Sequence, residues 1–162
     1  MKRLFISFII IFFAATAYAY DFSAVCPSGQ TLYYNITSDT TVAVTYPRYY
    51  REQLSYNSYR EYYYYGYSQP AGSVQIPGIV NNGNTTYIVT EIGDFAFYQC
   101  SELTEVTMSE SITDIGSSSF YKCTGILHIG FPEFLHSIGG YAFRDCGLLS
   151  IYLPNSLQYM GV

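Results

Sequence analysis

Residues 92–100 read IGDFAFYQC, and related stretches follow at 115–123 (IGSSSFYKC) and 138–146 (IGGYAFRDC). Successive copies are 23 residues apart, and all three keep Ile, Gly, Phe and Cys at the same places. Four columns that share one period indicate an internal repeat, and a period in this range is typical of proteins whose structural units stack on one another. The repeat therefore decides the fold of the second half of the chain.

An apolar pattern of the form L-x-x-I-x-I follows each Cys. Its members are Leu103, Val106 and Met108, then Ile126, Ile129 and Phe131, then Leu148, Ile151 and Leu153. Apolar residues one apart predict a short half-buried strand, and pairs four apart, such as Ala96 and Cys100, predict one inward-facing turn of helix. The sequence therefore predicts a repeat solenoid of the α/β type, with one strand and one helical turn per unit.

The repeat register separates inward from outward positions. The predicted core consists of Phe97, Cys100, Leu103, Phe120, Cys123, Ile126, Phe143, Cys146 and Leu148. Outward positions on the predicted strands form a candidate binding face, which consists of Thr104, Glu105, Thr107, Leu127, His128, Gly130, Leu149, Ser150 and Tyr152. Residues 87–162 carry eight acidic and two basic side chains, so we expect this face to favour basic or neutral partners.

The repeat can be followed one step upstream. Val74 and Ile76 match Ile129 and Phe131, but nine extra residues precede the next Ile-Gly. They include Asn82-Gly83, a tight-turn signal, and a strand-like stretch follows. We therefore predict repeats over 73–162, as a modified unit at 73–91, units at 92–114, 115–137 and 138–159, and the start of a further unit at 160–162.

The amino terminus has the pattern of a secretory signal peptide. Met1-Lys2-Arg3 is basic, residues 4–15 are apolar, and Ala17-Tyr18-Ala19 fits a small-x-small cleavage site. The apolar run is shorter than the roughly 20 residues of a membrane-spanning helix, although an uncleaved anchor is the alternative. We predict a leader at 1–19 and a secreted or cell-surface mature chain that begins at Tyr20 and has no membrane span.

Residues 20–72 are predicted to form a β-rich amino-terminal cap. Residues 31–36 and 41–46 alternate and are rich in β-branched and aromatic side chains, and Ser38-Asp39 supplies turn residues between them, so a hairpin is predicted. A stack of repeats leaves the apolar face of its first unit open. An atypical terminal unit is expected to cover that face.

A Tyr-rich insertion occupies residues 46–67, where ten of the chain's 20 Tyr occur together with Arg48, Arg51 and Arg60. One interpretation is a loop or extra hairpin whose rings pack on the cap. The other is a recognition patch, because Tyr offers amphipathic contact area and Arg stacks on its ring. The candidate patch consists of Tyr49, Tyr50, Tyr56, Tyr59, Tyr62, Tyr63, Tyr64, Tyr65 and Tyr67.

With these motifs, residues 73–162 resemble the BspA-like family of leucine-rich repeats, whose unit reads roughly I-G-x-x-A-F-x-x-C-x-x-L-x-x-I-x-I-P-x-S-V. The chain departs from that unit at Ser109, where Pro is usual, at Phe134, where a small polar residue is usual, and in its shortened third repeat. The resemblance implies a secreted or cell-surface bacterial protein that serves adhesion or protein recognition. Because several members of that family bind host matrix proteins, the resemblance implies a host matrix protein or another surface protein as the partner.

The repeated cysteines are predicted to be reduced. Side chains that point the same way from stacked turns do not suit disulfide geometry, so Cys100, Cys123 and Cys146 should form a buried ladder. Cys26 lies outside the repeats and is expected to be free or to bond another chain.

No motif points to catalysis or to a cofactor. His128 and His136 are eight residues apart and lack the neighbouring ligand pair of a metal site. The formal net charge of −5 argues against a nucleic-acid partner. We expect no cofactor, no metal and a protein partner; the sequence allows a glycan partner but does not support one.

Two functions follow from these patterns. The first is a non-enzymatic recognition or adhesion module. The second is a structural cap and spacer fragment of a larger multi-repeat surface protein.

Overall fold

The computed structural model describes residues 19–162, so the predicted leader, apart from Ala19, lies outside the described residues. This part of the chain contains twelve strands and no helix, and thus no helix long and apolar enough to cross a membrane. The strands are β1 (Phe22–Val25), β2 (Thr31–Ile36), β3 (Thr41–Thr45), β4 (Tyr50–Ser55), β5 (Ser58–Tyr62), β6 (Gly72–Ile76), β7 (Ile79–Asn82), β8 (Thr85–Ile92), β9 (Leu103–Met108), β10 (Asp114–Ile115), β11 (Ser137–Ile138) and β12 (Tyr159–Met160).

An antiparallel meander of β1, β2 and β3 forms one edge of an eight-stranded sheet. β2 and β3 are the predicted hairpin, and the backbone N–H groups of Thr40 and Thr41 donate to Ser38 Oγ in its turn, at 3.2 and 3.1 Å. The sequence did not predict β1, which is too short to show a period. β3 pairs in parallel with β8, so this meander joins the repeats directly.

The hairpin of β7 and β8 confirms the turn predicted at Asn82-Gly83. Gly83 has a φ of +60°, a left-handed conformation that Gly adopts without steric cost. β8 is the longest strand because it contacts three partners along its length: β7, β3 and β10.

A parallel ladder with one rung per repeat runs from the end of β8 through β10 and β11 to β12. The inward side chain of each of the first three rungs is the repeated Ile: Ile92, Ile115 and Ile138 are at most 3% exposed. Sequence reasoning missed these strands because two residues cannot show a period.

The Gly after each of these Ile residues is required by close backbone approach. A Cβ on Gly116 would lie 2.5 Å from the Asp94 nitrogen, and a Cβ on Gly139 would lie 2.5 Å from the Ser117 nitrogen. Real Cβ atoms do not approach backbone so closely, because packed interiors leave no room for the overlap. The Ile-Gly doublet therefore sets how tightly successive repeats stack.

The segment after each Ile-Gly forms tight turns, so the predicted turn of helix is wrong. Two residues in each repeat have φ between +53° and +60°: Phe95 and Gln99, Ser118 and Lys122, Tyr141 and Asp145. A left-handed residue at every fourth position interrupts a right-handed helix. We call these segments, residues 94–100, 117–123 and 140–146, the turn layer.

Hydrogen bonds in the turn layer alternate between two directions. The N–H groups of Ala96, Tyr98 and Cys100 donate within the turn, to carbonyls three residues earlier. Those of Phe95, Phe97 and Gln99 donate to the next repeat, at the carbonyls of Ser117, Ser119 and Tyr121, over 2.7–3.0 Å. The second repeat donates to the third in the same way, from Ser118, Phe120 and Lys122 to Gly140, Ala142 and Arg144. The turn layer therefore depends on contact between successive repeats, whereas a helix would complete its backbone hydrogen bonds internally.

The core follows the predicted columns. The rings of Phe97, Phe120 and Phe143 stack with centroids 5.0 and 5.2 Å apart and planes within 7° of parallel. The six predicted core residues of the first two repeats are fully buried. Phe143, Cys146 and Leu148 are only partly buried, because the third repeat has a full repeat on one side only.

The predicted L-x-x-I-x-I strand forms in the first repeat only. There β9 pairs in parallel with β6, in the register that matches Val74 to Val106 and Ile76 to Met108. Residues 126–131 and 148–153 form no strand, which corrects the prediction. Gly130 weakens strand formation in the second repeat, and the spacer after the third Cys is shorter.

We predict that Gly116→Ala destabilises the protein by about 1–3 kcal/mol, because the added methyl group would force two repeats apart. Chemical denaturation followed by circular dichroism measures the change. Gly130→Ala is the matched control, since a Cβ there meets nothing within 4 Å. Equal stability of the Gly116→Ala variant and the parent would contradict the close-approach argument.

Candidate functional site

A groove of about 820 Å³ opens beside β9, between that strand and residues 125–132. Six residues of the candidate binding face line it: Thr104, Glu105, Thr107, Leu127, His128 and Gly130. Four apolar residues, Val106, Met108, Ile129 and Phe131, line it as well. We call this surface the β9 groove.

The β9 groove exists because residues 126–131 do not pair with β9 as a further strand. No backbone hydrogen bond joins β9 to residues 126–131 among the described residues. Gly130, which takes the place of Thr107 in the repeat, leaves open space where a side chain would stand. One edge of β9 pairs with β6, and its other edge faces the groove without a strand partner.

The walls of the β9 groove are acidic. Glu105 and Glu110 line it, whereas no Lys or Arg of residues 19–162 does so. The backbone N–H of Glu133 donates to Glu110 Oε2 at 2.9 Å, which holds this carboxylate in place. A mixed surface of aliphatic floor and fixed negative charge suits a partner with apolar and basic side chains.

The other three residues of the candidate face lie on the third repeat, outside the groove. Leu149 is 73% exposed, Tyr152 is 86% exposed, and Ser150 is exposed too. The N–H of Leu149 donates to the carbonyl of Leu127 at 3.1 Å, so this segment continues the face beside the second repeat. The structure thus brings six of the nine residues into one groove and leaves three on an adjoining surface.

The Tyr-rich insertion forms an isolated antiparallel hairpin of β4 and β5, which pair with no other strand. Five of its rings are at least 40% exposed: Tyr49, Tyr50, Tyr56, Tyr59 and Tyr65. Arg51 lies 3.8 Å from the centroid of Tyr59, and Arg48 lies 5.5 Å from that of Tyr65. These exposed rings are the part of the insertion that is free to meet a partner.

Tyr63 and Tyr64 are buried, which corrects their place in the candidate patch. The Tyr63 ring stacks on Phe95, with centroids 4.7 Å apart, and packs against Tyr98. The Tyr64 hydroxyl donates to the carbonyl of Ala96 at 2.5 Å. Burial raises the pKa of Tyr64 well above its ordinary value, so the hydroxyl is a neutral donor. Tyr62 and Tyr67 are half-buried beside this pair.

Tyr64 takes the place of a preceding repeat. The carbonyl of Ser119 accepts the N–H of Phe97, and that of Ala142 accepts the N–H of Phe120. Ala96 is the equivalent residue of the first repeat, and its carbonyl accepts the Tyr64 hydroxyl instead. The base of the insertion therefore caps the turn layer.

Two neighbouring clefts lie at the base of the Tyr-rich hairpin and share Tyr98 and Gln99. One, of about 490 Å³, is lined by Tyr62, Tyr63, Tyr64, Tyr67, Gln69, Tyr98 and Gln99. The other, of about 500 Å³, is lined by Arg51, Tyr59, Arg60, Glu61, Tyr98 and Gln99. We call them the hairpin clefts. Sequence reasoning missed Gln69, Tyr98 and Gln99, which lie outside the insertion.

A further cavity of about 580 Å³ lies along the parallel ladder and includes Glu91, Asp94 and Asp114. Asp94 Oδ1 accepts the N–H of Ser117 at 2.6 Å, and Asp114 accepts the hydroxyl of Ser137, one repeat further on. Burial and the neighbouring Asp114 raise the pKa of Glu91. Asp94 and Asp114 thus join successive repeats. Residues 19–162 hold no group of side chains suited to a metal ion.

The repeats match a known family. Residues 79–162 match the family described as BspA type leucine rich repeat region, in six copies. The chain belongs to the BspA-type leucine-rich-repeat family. The resemblance seen in the sequence is thereby confirmed, and the fold is of the leucine-rich-repeat type.

Solved structures of bacterial leucine-rich-repeat proteins resemble this BspA-type chain. A T. pallidum leucine-rich-repeat protein is 27% identical, with a TM-score of 0.60 over 80% of this chain and 50% of its own. A leucine-rich cell surface protein from Faecalibacterium prausnitzii A2-165 is 23% identical, with a TM-score of 0.62 over 86% of this chain and 32% of its own. A leucine-rich-repeat protein from Bacteroides ovatus ATCC 8483 is 25% identical, with a TM-score of 0.52 over 80% of this chain and 36% of its own. The chain spans half or less of their lengths. No curated protein matches it.

The BspA-type Cys column joins one repeat to the next. Cys26, Cys100, Cys123 and Cys146 are all free, as predicted for the ladder. Cys123 Sγ donates to the carbonyl of Phe97 at 3.0 Å, and Cys146 Sγ donates to that of Phe120 at 2.9 Å. Burial raises the pKa of Cys100 to about 12 and that of Cys146 to about 11, and it raises the pKa of Cys123 further.

We predict that Tyr64→Phe lowers the free energy of unfolding by about 1–3 kcal/mol, because the Ala96 carbonyl would stay buried without a donor. Thermal and urea unfolding measure the loss. Tyr56→Phe is the control, since Tyr56 is 88% exposed at the hairpin tip. A Tyr64→Phe variant as stable as the parent would show that the hydroxyl has no capping role.

We predict that the thiols of the Cys column resist alkylation by iodoacetamide at pH 8 in the folded protein and react once urea unfolds it, because the thiolate is the nucleophile. An unfolded thiol has a pKa of about 8.5. Since the folded values are higher, the stability that these thiols contribute is intact below about pH 8.5 and falls as the pH rises further. Labelling followed by peptide mass spectrometry tests the first point, and urea titrations from pH 7 to pH 10 test the second. Rapid native labelling of Cys100 would contradict its burial.

Proposed function

We propose that the chain is an exported, non-enzymatic module that recognises a protein partner through the β9 groove. The observation that carries the proposal is the convergence of six outward repeat positions on one groove with aliphatic floor and acidic walls. Membership of a leucine-rich-repeat family supports protein binding, and one similar structure is described as a cell surface protein. Adhesion to host matrix proteins is the form of recognition that the family resemblance implies.

The proposed organisation places the leader at 1–19, the cap at 20–72 and a solenoid of repeats at 73–162. The parallel ladder from β8 to β12 and the inter-repeat bonds of the turn layer support stacking of the repeats. The meander β1–β3 and the Tyr64 bond support the cap, because both contact the first repeat from the preceding side.

The partner is proposed to be basic or neutral at its contact site. Glu105 and Glu110 are exposed, and their negative charges attract positively charged groups and repel acidic ones. Leu127 offers apolar contact because it is 48% exposed, whereas Val106 and Ile129 are almost fully buried. Binding should therefore weaken with salt without being abolished by it.

A spacer role, as the capped start of a longer repeat array, is the second candidate. In the third repeat, the N–H groups of Tyr141, Phe143 and Asp145 have no acceptor among the described residues, whereas their equivalents donate to the next repeat. Ile151, Leu153 and Met160 are at least 42% exposed on the same end. This end can accept another coil of the same kind.

We predict that Glu105→Ala and Leu127→Ala each weaken binding of the mature chain to its partner by about tenfold, as truncation of a central contact does. Surface plasmon resonance against a panel of purified extracellular matrix proteins identifies the partner and measures the loss.

Glu102→Ala is the matched control, because Glu102 is exposed, carries the same charge and lies outside the groove. If Glu105→Ala, Leu127→Ala and His128→Ala all bind as the parent does, the groove is not the binding surface. If a longer repeat array binds the partner and the groove substitutions leave that binding unchanged, the spacer role is favoured.

A further inference from the structure

The hairpin clefts differ from the β9 groove in the side chains that line them. Tyr, Gln, Arg and Glu line the two clefts, and no Leu, Ile, Val, Met or Phe of the described chain does so. The β9 groove, in contrast, has an aliphatic floor. Tyr and Arg also occur at protein interfaces, but the core of such an interface is apolar, and the clefts offer it no aliphatic side chain.

One aromatic ring in the clefts is available for stacking. Tyr59 is 45% exposed, and Arg51 lies 3.8 Å from its centroid, which fixes the ring between guanidinium and solvent. A pyranose ring carries C–H groups on a face and hydroxyl groups around its rim. An aromatic side chain with an apolar body and a polar tip complements that arrangement.

Two side-chain amides in the hairpin clefts are not used in internal hydrogen bonds. The side-chain amides of Gln69 and Gln99 make no hydrogen bond within residues 19–162, and both residues are exposed. Each amide offers two donors and one acceptor oxygen in a plane, a combination that pairs with vicinal hydroxyl groups. The Tyr49 hydroxyl donates to Glu61 Oε1 at 2.8 Å, which orients a carboxylate acceptor in the same place.

The floor shared by the two clefts is rigid. Tyr98 stacks on Tyr121, with centroids 5.0 Å apart, and packs against the buried Tyr63 at 4.6 Å. Gln99 follows Tyr98 in the turn layer, where its N–H donates to the Tyr121 carbonyl at 2.7 Å. A preorganised floor lowers the entropic cost of holding a small polar ligand.

We propose that the hairpin clefts bind a saccharide of two or more rings, with Tyr59 stacking on one ring and Gln69 and Gln99 bonding to hydroxyl groups. Tyr98 and Gln99 line both clefts, so we place neighbouring sugar units in the two clefts. Arg51 is paired with Glu61 at 3.9 Å, whereas Arg60 is exposed and makes no salt bridge among the described residues. Glu52 faces Arg60 across the hairpin, and the Arg60 guanidinium donates to the Tyr62 hydroxyl at 3.5 Å. Because a guanidinium has five N–H donors, Arg60 can still pair with a carboxylate, so a saccharide that includes a uronic acid binds more tightly than a neutral one.

The test is titration of the mature chain with trigalacturonic acid and with neutral xylotriose, followed by calorimetry and by chemical shifts of the Tyr rings, after a screen on a printed glycan array. We expect saturable binding, stronger for the acidic trisaccharide and weakened by salt. Tyr59→Ala and Gln69→Ala should each weaken it by about tenfold, while Tyr59→Phe, which keeps the ring, retains it.

Tyr56→Ala is the matched control, because Tyr56 is a more exposed ring of the same hairpin outside both clefts. Absence of binding to the array and to both trisaccharides overturns the proposal, and so does binding that Tyr59→Ala leaves unchanged. Equal affinity for the two trisaccharides overturns the role of Arg60. Glu105→Ala should leave saccharide binding intact, which separates this site from the β9 groove.

Discussion

The structure depends on backbone hydrogen bonds that each repeat can complete only against its neighbour. In the turn layer, alternate N–H groups donate to the following repeat over 2.7–3.0 Å, which requires the backbones to lie very close. Gly116 and Gly139 permit that approach, because a Cβ at either place would overlap the preceding repeat. A buried peptide group without a partner is costly, so a single repeat is not a stable unit. Stability arises from the stack.

The same requirement explains the base of the Tyr-rich insertion. The first repeat has carbonyls that an earlier repeat would satisfy, and the Tyr64 hydroxyl supplies the donor for Ala96. Tyr63 covers Phe95 in the same way that Tyr98 and Tyr121 cover one another. The insertion is thus divided by burial. Its last residues complete the fold, and its hairpin carries exposed rings and arginines away from the core.

The candidate sites lie where stacking is incomplete. The β9 groove opens beside the strand edge that residues 126–131 leave unpaired, and its charge comes from Glu105 and Glu110. The hairpin clefts form where the insertion meets the exposed edge of the turn layer at Tyr98 and Gln99. Both places combine a rigid floor with unsatisfied polar groups, which is what a binding surface needs. The two differ in chemistry, one aliphatic and acidic, the other aromatic and amide-rich.

The sequence by itself determined the 23-residue period, the Ile, Phe and Cys columns of the core, the family, and the outward positions such as Glu105 and His128. These follow from spacing, because a repeated contact requires a repeated residue type. Only the tertiary structure decided that the turn layer is not helical, that no further strand pairs with the free edge of β9, and that Tyr63 and Tyr64 are buried. Each of these depends on a hydrogen bond or a ring contact between segments distant in sequence, and local pattern carries no information about which distant group is the partner.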